Sequence, residues 1–323
     1  MRSAKLYQYQ LPIETGIILR QRRLKQREGF IVHLLDNGRS GWGEIAPLPE
    51  FSSENLADAE QQLRHWLALW QNGQVDHLDQ YSPSVAFGLS CALAEIEQTL
   101  GEKGNYQTAP LCYGDPDELY AKLNQMTGEK IAKIKVGLYE ANRDGLIADM
   151  FLEAIPDLKL RLDANRSWTL EKAVQFASKI ATDRKHRIQF IEEPCRTPDL
   201  SRQFALENQL AIAWDESVRE PNFLVKKEPN LTAIIIKPTL TGSIQKCLNL
   251  IQQAHQQGII AVISSSIESS LGLTQLARLA HQYTPNTLPG LDTLNLMQYQ
   301  LLRPWQGSTL PLATLESEFI WEI

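Results

Sequence analysis

Apolar and polar residues alternate through the opening run AKLYQYQLPI, the period of a strand with one buried face. The run GFIVHLLDNGRSGWGEIAPLP is β-rich on both sides of Asp36-Asn37-Gly38. Its Asn-Gly supplies the positive φ angles of a tight turn, so it predicts a hairpin. The spacing then lengthens. Leu56, Leu63, Leu67 and Trp70 of NLADAEQQLRHWLALW share one face of a helix, and Pro83 opens a second helix, rich in small residues, in PSVAFGLSCALAEIEQTL. Residues 1–100 thus predict an α+β module.

From about Pro110 the pattern becomes short β-branched runs alternating with helical segments, as in βα units around a parallel sheet. PLCYG, IAKIKVG, LKLRLDAN, IQFIEEP, LAIAWDES, LTAIIIKP, IIAVISSS and NTLPGLD are eight candidate strands, the first and last weakly marked. Landmarks in them, from Cys112 through Lys135, Asp163, Glu192, Asp215, Lys237 and Ser264 to Gly290, recur every 22 to 29 residues. Helical spacers fit between several: LIADMFLEAI, TLEKAVQFASKI, SIQKCLNLIQQAHQQG and LTQLARLAHQY. Thr169 and Ser243 stand where helices should start, and Gly258 where one should stop. Eight parallel strands with outer helices make a TIM-type barrel. The last strand lacks a following helix, so residues 300–323 are expected to return to the N-terminal module, leaving 101–299 as the barrel.

Composition narrows the function. With 323 residues, 43% hydrophobic and 22% charged, the chain has the balance of an ordinary globular protein with ample core. A net charge of −6 argues against general nucleic-acid binding and favours a small-molecule partner. Cys91, Cys112, Cys195 and Cys247 show no CxxC spacing, so buried thiols in a reducing compartment are expected. The start MRSAKLYQYQLPIE carries no apolar signal-peptide core, and no apolar run reaches bilayer-spanning length. The expectation is a cytoplasmic protein with no membrane contact and no obligate protein partner.

Polar residues then fall at the C-terminal ends of successive strands, which in a barrel meet at one mouth. They are Lys133 and Lys135, Asp163 and Asn165, Glu192 and Glu193, Asp215 and Glu216, Lys237, and Ser264 to Ser266. Three carboxylates from adjacent strands, Asp163, Glu192 and Asp215, repel one another unless a cation joins them. Oxygen donors favour Mg²⁺ over zinc, and all six histidines lie away from the strand ends. Lysines flank the acids on the second and sixth strands; one whose pKa is lowered by its surroundings can serve as a base. Metal and lysine together suggest removal of a proton α to a carboxylate. A barrel that binds ligand without catalysis is the alternative class, and the full set of acids and lysines argues against it.

Through KIKVG, LRLDANRSW, FIEEPC, AWDES and IIIKPTLTGS the chain resembles the enolase superfamily, in its muconate-lactonizing subgroup. GWGEIAPLP, ISSSIESS and PGLDTL are similar to a more specific branch within it, and the likeness runs over essentially the whole chain. The resemblance implies a modified TIM-type (β/α)7β barrel with an N-terminal α+β capping domain. It implies a lyase: Mg²⁺-dependent dehydration of a hydroxycyclohexadiene carboxylate in menaquinone biosynthesis. Racemisation of N-acylamino acids or epimerisation of dipeptides is the alternative within the superfamily.

By the same resemblance, Asp163, Glu192 and Asp215 bind Mg²⁺, and Lys135 removes the proton and then protonates the departing hydroxyl. Lys237 stabilises the enediolate. Lys133 and Asn165 position the carboxylate and metal, and Ser264 and Gly290 line the far end of the substrate. Glu193 is expected to be a supporting partner rather than a ligand. Arg20 to Gly29 falls where family members carry a covering loop, with a solvated charged loop as the plain alternative. Trp42 is expected in the core.

Overall fold

The hairpin forms where Asn37 and Gly38 predict it, with φ of 50° and 80° joining the antiparallel strands Gln26–Asp36 and Arg39–Ile45. The computed structural model describes residues 2–14, 18–19, 22–74, 76–112 and 115–323. These divide into two units: Met1–Thr108 with Ile236–Ile251 and Ile263–Ile323, and Ala109–Ile235 with Gln252–Val262. Among the described residues no helix is long and apolar enough to cross a membrane. Cys91, Cys112, Cys195 and Cys247 are all buried thiols.

In the first unit the antiparallel sheet runs in the order Ile320–Glu322, Arg2–Pro12, Gln26–Asp36, Arg39–Ile45. Two helices cover it. Leu56–Gln71 starts at a capping box between Asn55 and Asp58, and Pro83–Glu97 has proline in its first turn. Phe30, Val32, Leu34 and Ile45 of the sheet pack with Leu63, Trp66, Val85 and Leu89 of the helices.

The GWGE motif explains the close fit of the second helix. A Cβ at Gly41 would lie 1.9 Å from the Ala92 carbonyl oxygen, and one at Gly43 2.0 Å from that of Gly88. Only glycine at both positions lets the helix backbone close on the strand. Strand alternation sends Trp42 and Glu44 to the opposite face. Trp42 is half-buried rather than core: it stacks on the His33 ring, centroids 3.8 Å apart.

A seven-stranded sheet carries the βα pattern. Its strands are Leu111–Cys112, Ile131–Lys135, Lys159–Asp163, Ile188–Glu192, Ile212–Trp214, Leu231–Ile236 and Ile260–Ile263, neighbours in chain order. The first six pair in parallel. Helices Ala141–Ala154, Leu170–Ala177, Ile244–Gln256 and Ser270–Tyr283 match the four expected spacers. Thr169 Oγ1 accepts from the Lys172 N–H, Ser243 Oγ accepts from the Lys246 N–H, and Gly258 takes a φ of 67° just past its helix. Helices Pro116–Asn124 and Pro198–Asn208 were not anticipated, although each has a capping side chain, Asp115 or Thr197, just before its first-turn proline.

The eighth candidate, NTLPGLD, does not form a strand. It contributes a single parallel bridge, Ser264 to Gly290. Pro289 has no N–H for a ladder, so pairing narrows to the hydrogen bonds from Gly290 N to Ile263 O and from Ser265 N to Gly290 O, both 2.9 Å.

Candidate active site

The register of the parallel sheet builds the site. Lys135 pairs with Asp163, Asp163 with Glu192, and Glu192 with Ala213, so the ends of four strands lie in one row. Asp215 follows Ala213 by two residues, just past the strand end. Asp163, Glu192 and Asp215 are 6%, 2% and 1% exposed, so these acids need positive charge beside them.

Lys133 supplies that charge to Asp163 and Glu192, and Arg219 lies 3.7 Å from Asp215 Oδ1. Lys133 leaves the strand two residues before Lys135, about 6–7 Å lower along it, and reaches up towards the row. Its Nζ lies 2.7 Å from Glu192 Oε2 and 2.9 Å from Asp163 Oδ2. Burial pulls its pKa down, but the charges of Asp163 and Glu192 outweigh burial and hold it above the ordinary lysine value. Lys135 is half-buried, and among the described residues its side chain makes no hydrogen bond or ion pair.

Mg²⁺ fits this donor set: hard carboxylate oxygens on consecutive strand ends, two of which already face a cation at contact distance. Among the described residues no three Asp, Glu, His or Cys side chains draw together closely enough to cage an ion.

Glu193 is fully buried and works behind the row, as a supporting partner does. Its Oε1 accepts from the backbone N–H of Asp215 at 3.2 Å and of Ser217 at 2.9 Å, fixing the turn that carries Asp215. Its Oε2 pairs with Arg166 Nε at 3.1 Å, and Arg166 reaches on to Ser217 Oγ and Glu220. Asn165, Arg166 and Glu193 all have positive φ, at 44°, 57° and 39°. Such backbone persists where the surroundings over-determine it. The Asn165 N–H donates to Asp163 Oδ1 at 3.2 Å, and its amide to Glu216 at 3.1 Å. Arg166 was not singled out from sequence; a cation three residues past Asp163 and beside the strand end of Glu192 and Glu193 was the available signal.

The other expected site residues belong to the first unit. Lys237 directly follows the strand Leu231–Ile236 and starts the short helix Pro238–Thr241, its carbonyl accepting from the Leu240 N–H and the Thr241 hydroxyl. Ser264 and Gly290 are brought together: Ser264 Oγ donates to the Gly290 carbonyl at 3.2 Å, and a Cβ at Gly290 would lie 2.9 Å from that hydroxyl. Of the stretch Arg20 to Gly29, Arg20 and Gln21 lie outside the described residues. Arg23 to Glu28 line a cavity of about 740 Å³ with Pro47, Pro49, Glu54 and Asn55. Arg27 corrects the solvated-loop reading at its own position, because it is 1% exposed and, among the described residues, donates only to backbone carbonyls.

Residues 118–310 match the family described as Enolase C-terminal domain-like, and residues 1–96 match MenC, N-terminal domain. The o-succinylbenzoate synthase from Thermosynechococcus elongatus, solved with Mg in its active site, superposes with a TM-score of 0.69 at 24% identity over 90% of this chain and 92% of its own. The sheet and these likenesses define an enolase-superfamily protein, a (β/α)7β barrel with an N-terminal α+β domain.

Within that class the relatives are specific. The o-succinylbenzoate synthase of Haemophilus influenzae is 64% identical over 326 residues, covering 100% of this chain and 99% of that protein. That of Pasteurella multocida is 63% identical over 328 residues, covering 99% and 97%. The chain belongs to the o-succinylbenzoate synthase family, lyases of menaquinone biosynthesis that work by dehydration.

Proposed function

We propose that the chain dehydrates 2-succinyl-6-hydroxy-2,4-cyclohexadiene-1-carboxylate to 2-succinylbenzoate with Mg²⁺ at Asp163, Glu192 and Asp215 and with Lys135 as the base. The observation that carries this reading is the unequal fate of two lysines on one strand face. Lys133 is held between two carboxylates at 2.7 and 2.9 Å. Lys135, one row further out beside Asp163, carries no such clamp. A side chain without such a clamp is open to the substrate's proton, which favours Lys135 as the base.

Lys135 takes the proton α to the substrate carboxylate. The electron pair moves into the enediolate, the C–O bond to the hydroxyl breaks, and the ring gains its aromatic double bond. The same Lys135 ammonium returns the proton to the departing hydroxyl, which leaves as water on the face from which the proton came. Mg²⁺ bound at the three carboxylates supplies positive charge against the enediolate that develops. Lys237 adds a second positive charge to that enediolate, Lys133 and Asn165 hold the carboxylate end of the site, and Ser264 and Gly290 receive the succinyl end.

Racemisation of acylamino acids uses the same two lysines, but the near-full-length identity to named synthases favours dehydration. The reading calls for a small carboxylate as the only partner and for a cytoplasmic enzyme, in keeping with buried thiols. Purified protein given the cyclohexadiene substrate is expected to remove the diene absorbance when Mg²⁺ is present and not after chelation. An unchanged absorbance, with deuterium exchange into N-acylamino acids instead, would overturn the proposal in favour of racemisation.

A further inference from the structure

Ile267 has a φ of 60°, left-handed backbone that a β-branched residue rarely adopts. It closes the turn Ser264–Ile267, which follows the strand Ile260–Ile263. Two buried charged side chains hold that turn. Arg27 donates through Nε to the Ile267 carbonyl at 2.8 Å, and its remaining donors anchor on the carbonyls of Glu28, Ala46 and Pro47. Glu268 accepts from the Ser266 N–H at 2.6 Å and the Ser265 hydroxyl at 2.8 Å through Oε2, and from the Thr239 hydroxyl at 2.6 Å through Oε1. Burial pushes the Glu268 carboxyl pKa up, and these hydroxyl donors oppose the shift.

Ser265 ties the two ends of the turn. Its Oγ accepts from the Ile267 N–H at 2.9 Å and lies 2.7 Å from Thr293 Oγ1; its one proton goes to Glu268, so Thr293 is the donor there. Ser264 sits at the start of the turn, its N–H bonded to the Ile236 carbonyl and its hydroxyl to that of Gly290. A glycine would take this φ freely, yet the chain uses isoleucine and buries two charges to hold it. Strain retained in this way marks a geometry that matters to function.

We propose that Glu268 and Arg27 are positioning residues of the reaction: they lock the Ser264–Ile267 turn and so set where Ser264 meets the succinyl end of the substrate. This rests on the dehydratase reading above. Glu268→Gln keeps the side chain's size but puts a donor where Thr239 or Ser265 already donates.

The test is steady-state kinetics of the Mg²⁺-loaded wild type, Ser264→Ala, Glu268→Gln and the double variant. Glu268→Gln should raise KM roughly tenfold with kcat changed less than about threefold, the mark of lost remote binding. The double variant should show the KM of Ser264→Ala alone, because the two residues act through one contact. A wild-type KM in folded Glu268→Gln, or KM effects that multiply in the double variant, overturns the inference. Should Glu268→Gln fail to fold, Ser265→Ala, which deletes the hydroxyl between Glu268 and Ile267, faces the same two outcomes. No turnover by wild type sinks the dehydratase reading itself, and this inference with it.

Discussion

Two lysines leaving one strand face differ because of what lies at their reach. Lys133 starts a row lower and meets Asp163 and Glu192 with its ammonium, whereas Lys135 emerges at their own level. In AKIKVGL both read as site residues and the family resemblance gives the proton to Lys135; the register shows that the two side chains meet different surroundings. The acids need positive charge at all times, from Lys133 and, on the proposed reading, from a divalent ion as well. Asp163→Asn should weaken Mg²⁺ binding by roughly a hundredfold or more in calorimetry, since ligand loss exceeds the cost of losing a supporting residue. Unchanged binding would remove Asp163 from the ligand set. Lys133→Met should destabilise the metal-free protein by about 3 kcal/mol, as expected when one partner of a buried ion cluster is deleted. Added Mg²⁺ should then raise the Tm of the variant more than that of wild type. Equal shifts in both would mean that Lys133 does not balance the acids.

Among the elements, the helix Pro83–Glu97 owes its place to two devices. Gly41 and Gly43 admit its backbone to the sheet, and Glu95 near its end ties it to other segments of the same unit. Glu95 accepts from Arg303 at 2.5 and 2.7 Å, from Gln275 at 3.0 Å and from the Trp42 N–H at 2.9 Å, with Arg278 at 3.3 Å. Burial alone would push its pKa up. The hydrogen bonds and charge of Arg303, helped by Gln275 and Trp42, hold it below the ordinary carboxylate value. A carboxylate depressed on folding contributes stability that is complete above its unfolded value, 4.5, and is lost as pH falls through the lower folded value. Arg303→Met should cost about 2–3 kcal/mol at pH 7 by chemical denaturation, less than a lone buried pair because Arg278 remains. The loss should shrink as pH falls below 4.5 and through the lower folded value, where Glu95 takes up its proton and the ion pair is lost in wild type too. A loss independent of pH would place the effect in packing rather than in the ion pair.

Across the whole molecule, the parts of the fold set by local rules were legible in the chain. The Asn37-Gly38 turn, the alternating strands and the recurring βα period depend on neighbours in sequence, and all three appear in the structure. The eighth strand was legible in place but not in extent: NTLPGLD narrows to a single parallel bridge because Pro289 withholds the N–H a ladder needs. Arg27 was misread: in a run of cations it looks solvated, and its carbonyl partners at Ala46, Pro47 and Ile267 lie far along the chain. Arg166 and Glu268 were not singled out, because each lies in or beside positive-φ backbone that no period announces.

The account turns on Lys135 as the residue that moves the proton. Its most direct test is turnover of 2-succinyl-6-hydroxy-2,4-cyclohexadiene-1-carboxylate by Lys135→Ala, with Mg²⁺ affinity measured on the same preparation. The expected result is dehydration reduced by roughly 10³-fold or more, as for loss of an essential acid–base group, with Mg²⁺ affinity within about threefold of wild type. Turnover near the wild-type rate, with the metal bound, would contradict it and move the base elsewhere.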